Sequence, residues 1–227
     1  MALDHSRIHA LCFDIDGTLS DTDDEFVRKL AQRLSLVKFL FPHKDPHLFA
    51  RRVVMATETP GNLFFGFTDR LGLDGPLARL GDFIYRLGLG GTPEPFVLIA
   101  GVRRMLGLLR PRYPLSIVTA RSERAIQRFL DQFELSGCFV CAAHAQTCRH
   151  SKPYPDPVLL AAEKLGVAPH DCLMIGDTTA DIRAGRAAGA QTVGVLCGFG
   201  QRAELQRHGA DLILPSTADL KQVLLGD

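Results

Sequence analysis

Long apolar runs are the first thing this chain lacks. No uncharged stretch approaches the roughly 18 residues that a membrane span needs, which argues against a transmembrane helix. It also lacks an excess of either charge. Its 26 Lys+Arg and 25 Asp+Glu leave a formal net charge of +1, which argues against a binder of nucleic acid or another polyanion. Cysteine is limited to six residues, and Asp4, His5 and Arg7 precede any apolar run where a secretory signal would be apolar. Thiols in that setting are expected to be free, in a cytoplasmic protein. Cys12, Cys141, Cys172 and Cys197 lie in or beside apolar runs and are expected to be buried as small hydrophobes. A further shortage is local: between about Asp21 and Gly91 no segment alternates as a strand should.

What is present is ordinary for a globular protein, with 46% hydrophobic and 22% charged residues in 227 positions. That length suits a core domain carrying a smaller inserted module. Five β-like runs stand out, Ile8 to Phe13, Leu115 to Thr119, Phe139 to Ala143, Cys172 to Ile175 and Thr192 to Leu196, with a sixth at Asp211 to Leu214. Helical patterns separate most of them. Val102, Met105, Leu106 and Leu109 fall at i, i+3, i+4, i+7, and Ile126, Phe129, Leu130 and Phe133 repeat the spacing behind Ser122, a good N-cap. Asp156-Pro157 reads as an N-cap followed by proline at the first helical position, with Gly166 closing that helix. Alternating strands and helices predict an α/β fold with a parallel, Rossmann-like sheet and right-handed crossovers. The segment 21–91, with Phe26, Leu30, Leu34 and later Leu77, Leu80, Ile84 and Leu87, predicts an inserted helical module. The expected division is therefore 1–20 and 92–227 as the core and 21–91 as an α-helical cap. The glycine- and proline-rich stretch Gly88 to Pro95 serves as its exit linker, and the two crossings would let it move as a lid.

The chemistry-bearing residues gather at the ends of these runs. The stretch FDIDGTLSDTDD, Phe13 to Asp24, places five aspartates in twelve residues, and carboxylates so close either take up a proton or share a cation. Ligands of open parallel sheets bind beyond the carboxyl ends of the strands. There the first run ends in Asp14-Ile15-Asp16-Gly17-Thr18, the second in Val118-Thr119-Ala120-Arg121, and the fourth in Gly176-Asp177-Thr178-Thr179-Ala180-Asp181. The third leads through a loop to Ser151-Lys152-Pro153. Each piece alone is a common turn or cap, but their recurrence in order at the strand ends of one sheet is not. Three carboxylates converging on one point suit magnesium. A calcium loop is excluded, because Leu19 occupies the position where its sharp turn needs glycine.

In order, Asp14-Ile15-Asp16-Gly17-Thr18, Thr119, Lys152 and Gly176 to Asp181 resemble the four motifs of the haloacid dehalogenase superfamily, especially its phosphoglycolate-phosphatase-like branch. The resemblance implies a phosphoric monoester hydrolase with Mg2+ as cofactor and a helical cap after the first motif. It implies Asp14 as nucleophile, Asp16 as acid and then base, Thr119 as a donor to phosphoryl oxygen and Lys152 as the stabilising charge. Magnesium would be held by Asp14, Asp177 and the main-chain carbonyl of Asp16, with Asp181 orienting Lys152 or a metal-bound water. The substrate implied is a small phosphorylated metabolite, with 2-phosphoglycolate a candidate, and the expected partners include neither nucleic acid nor membrane, the chain acting as monomer or homodimer. Thr119-Ala120-Arg121 departs from the many relatives that place asparagine shortly after the hydroxyl residue, which leaves the leaving-group contacts open. A phosphomutase of the β-phosphoglucomutase type keeps the same aspartates, while a non-catalytic phosphate-binding module should have lost one of these residues. Cys138, Cys141, His144, Cys148 and His150 have zinc-like spacing, but Cys138 and Cys141 would point to opposite faces of a strand. Arg121, Arg149 and His150 are left outside the catalytic set.

Overall fold

The computed structural model describes residues 3–21 and 96–226. The expected cap, beyond Asp21, and its exit linker lie outside the described residues.

Six parallel strands form one sheet in the order β3-β2-β1-β4-β5-β6. They are β1 (Ala10–Phe13), β2 (Leu115–Val118), β3 (Cys141–Ala143), β4 (Cys172–Gly176), β5 (Gln191–Val195) and β6 (Leu212–Leu214). Helices α1 (Val102–Leu109), α2 (Glu123–Gln132), α3 (Asp156–Leu165), α4 (Thr179–Ala188), α5 (Arg202–Arg207) and α6 (Leu220–Leu225) link or follow them. The parallel sheet and its Rossmann-like alternation agree with the sequence pattern.

Residue alternation divides the core into two layers. Leu11 and Phe13 of β1 meet Val102, Met105, Leu106 and Leu109 of α1 and Phe129 of α2, all fully buried. Ala10 and Cys12 face the other way, against Val158, Ala161 and Ala162 of α3 and Ala184 of α4. Small residues on that side let the helices lie close to the sheet. The clearest case is Gly185 of α4, where a Cβ would lie 2.7 Å from Thr192 Cγ2 and 2.9 Å from Met174 Cβ.

Three expectations need correction in detail. β3 begins at Cys141, because Phe139 turns inward to pack edge-on against Phe13 at 6.4 Å between centroids. Asp156 is the first residue of α3, not its cap; Pro155 takes the cap position, and the Asp156 carboxylate faces His150 Nδ1 at 3.0 Å. Cys12 and Cys172 are buried as expected, but Cys141 and Cys197 are only half-buried. Gly166 does close α3, in the left-handed conformation at φ 69 that glycine accepts without strain.

The chain leaves and re-enters the core at one place. Asp21 N–H donates to Val97 O at 2.7 Å, Ile99 N–H to Leu19 O at 3.0 Å, and Ser20 Oγ to Val97 O at 3.1 Å. The residues that flank 22–95 are thus bonded to each other, so the core closes without that segment.

Candidate active site

Because every strand runs the same way, all their carboxyl ends share one edge. β1 pairs with β2 on one side and β4 on the other, with Phe13 opposite both Ile117 and Ile175. The chain steps from β1 through β2 to β3 on one side and then crosses back past β1 to β4 on the other, which makes the crevice beyond β1 the place where open α/β sheets bind ligands. Asp14 follows Phe13, Thr119 follows Val118, and Asp177 follows Gly176, so three sequence-selected residues emerge side by side. Lys152 enters from the loop between β3 and α3.

Lys152 Nζ lies 2.8 Å from Asp14 Oδ1 and 2.6 Å from Asp181 Oδ1. Asp181 also caps α4: its Oδ2 accepts from Thr178 N–H at 3.0 Å and Thr178 Oγ1 at 2.7 Å. The cap therefore fixes the carboxylate that in turn fixes the lysine. Gly176 makes room for this, since a Cβ there would overlap the Asp181 carboxyl group. Asp177 Oδ2 accepts from Phe199 N–H at 2.9 Å, and Thr18 Oγ1 reaches Asp177 Oδ1 at 3.4 Å.

Asp14, Asp177 and Asp181 are all buried, with one oxygen from each within 4.8 Å of the others. Burial pushes the Asp14 carboxyl up to about 7, against the pull of the Lys152 ammonium; the nearby Asp181 and Asp16 carboxylates add to the rise. Burial alone would lower the Lys152 ammonium, but the Asp14 and Asp181 carboxylates beside it raise it above the usual range. Three buried acids against one ammonium leave an excess of negative charge, and the donors are all hard oxygens. That set fits a magnesium-like cation.

Asp16 is placed differently. Its side chain is not in this cluster but receives a two-pronged bond from Arg121, Nε to Oδ2 at 2.6 Å and Nη2 to Oδ1 at 2.5 Å. Arg121, set aside on sequence grounds, is therefore a site residue. Thr119 is buried, and its Oγ1 accepts the Arg121 N–H at 3.3 Å. Arg149 is exposed, and His150 stands by Asp156.

The loop after β5 was also not singled out as part of the site. A Cβ on Gly198 would overlap Asp177 Oδ2, and one on Gly200 would overlap Asp177 O. The Cys197 thiol donates to Gly17 O at 3.4 Å, and Thr217 Oγ1 donates to Thr18 O at 2.6 Å. Two glycines spaced Gly-Phe-Gly at a strand's carboxyl end were the available signal.

A family model described as haloacid dehalogenase-like hydrolase matches residues 8–189, which takes in Asp14, Asp16, Thr119, Lys152, Asp177 and Asp181. The chain belongs to that family of hydrolases. A phosphoglycolate phosphatase of Chromobacterium violaceum is 30% identical over 223 residues, covering 96% of this chain and 97% of the relative. The pyrophosphatase PpaX of Bacillus pumilus is 27% identical over 229 residues, covering 99% of this chain and all of the relative. The crystal structure of a haloacid dehalogenase family hydrolase from Deinococcus radiodurans, with bound phosphate and sodium, aligns over 97% of this chain and 96% of its own, at TM-score 0.67 and 23% identity. That last likeness is one of fold.

Proposed function

We propose that this chain is a magnesium-dependent phosphatase that hydrolyses a small phosphorylated metabolite through a phosphoaspartate on Asp14, with 2-phosphoglycolate the first substrate to test. The observation that carries this reading is the buried bridge of Lys152 between Asp14 and Asp181, beside Asp177, at the carboxyl edge of the sheet. The full-length relatives named as a phosphoglycolate phosphatase and a pyrophosphatase support it. We place it in the cytoplasm, as monomer or homodimer. Among the described residues no helix is long and apolar enough to cross a membrane.

Asp14 attacks phosphorus, forming an acyl phosphate as the bond to the leaving oxygen breaks. Asp16 gives that oxygen a proton, then takes one from the water that attacks the acyl phosphate, which releases phosphate and restores Asp14. Lys152, held by Asp181, neutralises charge on the transferring group, and the Thr119 hydroxyl donates to a phosphoryl oxygen. Magnesium held by Asp14, Asp177 and the main-chain carbonyl of Asp16 would offset repulsion between carboxylate and phosphate.

The test is phosphate release across a panel of small phosphate esters, with magnesium and with excess chelator. Magnesium-dependent release is expected. Undiminished turnover in chelator would contradict the metal assignment, and release from no ester at all would contradict the activity.

A further inference from the structure

We propose that Arg121 selects substrates whose leaving group carries a second anionic group, a carboxylate or a phosphate, by exchanging its bond to Asp16 for one to that group. This deepens the phosphatase reading and rests on it.

The pair is built to be engaged from outside. Arg121 and Asp16 side chains keep 28% and 33% of their surface exposed, whereas those of Lys152 and Asp14 keep 8% and 9%. A phosphoryl group seated at Lys152 and Asp14 would therefore have its ester oxygen and leaving group on the Arg121 side. The guanidinium is also aimed by more than Asp16. It stacks over the Phe96 ring at 4.8 Å from the centroid. Phe96 is pinned through its main chain, its N–H donating to Gln132 Oε1 at 3.0 Å and its carbonyl accepting from Gln132 Nε2 at 2.6 Å. Arg121 N–H rests on Thr119 Oγ1. Exchange of one carboxylate for another on the fork needs no rebuilding of this platform.

Asp16 gives the reason the exchange matters. Both of its oxygens accept N–H from the fork. A carboxyl held as a double acceptor is poorly placed to donate a proton to a leaving oxygen. Something must compete for the guanidinium, and the chemistry that competes is a planar or branched oxyanion matching its two parallel donors. A neutral alcohol offers no such competitor. When the phosphorus–oxygen bond breaks, its electron pair goes to the leaving oxygen, which takes the Asp16 proton, while the second anion of the leaving group keeps the Arg121 fork.

The experiment compares kcat/KM for 2-phosphoglycolate, pyrophosphate and ethyl phosphate at one magnesium concentration, in the wild type, Arg121→Ala and Arg121→Lys. The wild type is expected to prefer at least one anionic substrate over ethyl phosphate, and which one separates carboxylate from phosphate. Arg121→Ala should cut that preference about a hundredfold, as loss of a paired charge does, and Arg121→Lys about tenfold, because the charge survives without the fork. Melting curves identify a variant that fails to fold, and Arg121→Lys then supplies the comparison. A preference within about threefold of wild type in the folded variants overturns the proposal. So does a wild type that cleaves ethyl phosphate as well as both anionic substrates. Turnover of p-nitrophenyl phosphate without any charge preference contradicts the role of Arg121 alone, whereas no turnover of any ester contradicts the phosphatase reading beneath it.

Discussion

Asp14 is asked to be both buried and ionised, and the two demands oppose each other. Burial raises its carboxyl from 3.8 to about 7, even with Lys152 2.8 Å away. A carboxyl raised in the folded state binds its proton more tightly there than in the unfolded chain. Its contribution to stability is therefore full below the unfolded value and is lost as pH rises through about 7. Metal-free protein should melt at lower temperature as pH climbs across that window, and magnesium should reduce the slope because it favours the ionised carboxylate. A thermal-melt series in chelator and in magnesium checks this; identical slopes would mean that no cation engages Asp14. Lys152→Met keeps the apolar stem but loses the charge, so magnesium-loaded variant should remain folded with kcat down by about 10²–10³. A kcat within a few-fold of wild type would assign the phosphate to another residue. The motif residues at this scale were legible because reactive side chains at strand ends have no packing reason to be there. Arg121 was not: its partner Asp16 is 105 positions away, and nothing local distinguishes a bound arginine from a solvated one.

The elements transmit position to the site through close approaches. α4 carries Asp181 in its first turn, and Gly185 lets that helix lie against β4 and β5. Gly185→Ala would gain about 1 kcal/mol of helix propensity yet should lose about 1–3 kcal/mol by overpacking, a net destabilisation in denaturant melts. Its kcat should fall too, since α4 cannot lift without moving Asp181. A more stable variant would show that the contact relaxes freely. Gly198→Ala should chiefly weaken magnesium affinity, by about tenfold or more, because the new Cβ displaces the Asp177 carboxylate. Titrating activity against magnesium measures it, and an unchanged midpoint would remove that loop from the site. Helix faces and strands were readable from period alone, as the burial of Val102, Met105, Leu106 and Leu109 bears out. The exceptions were set by distant partners: Phe139 leaves the strand pattern for Phe13, and the Asp156 side chain turns to His150. The glycines near Asp177 carried a visible spacing, but what they avoid lies on another strand.

For the whole molecule, the strand order delivers the chemistry. A parallel sheet with β1 between β2 and β4 brings Asp14, Thr119 and Asp177 to one edge from positions that together span more than half the chain. The bonds among Leu19, Ser20, Asp21, Val97 and Ile99 close the core where segment 22–95 departs, beside Arg121's platform residue Phe96. The proposed activity requires this edge to form a phosphoaspartate on Asp14, and Asp16→Asn puts that requirement to the test. With an aryl phosphate, whose leaving group departs without a proton, the variant should release a burst of about one phenolate per site and then stall, since water lacks its base. Rapid-quench mass analysis should find one added phosphoryl group, mapping to Asp14. Phosphorylation at any other residue, or steady turnover of alkyl phosphates at the wild-type rate, would contradict the account.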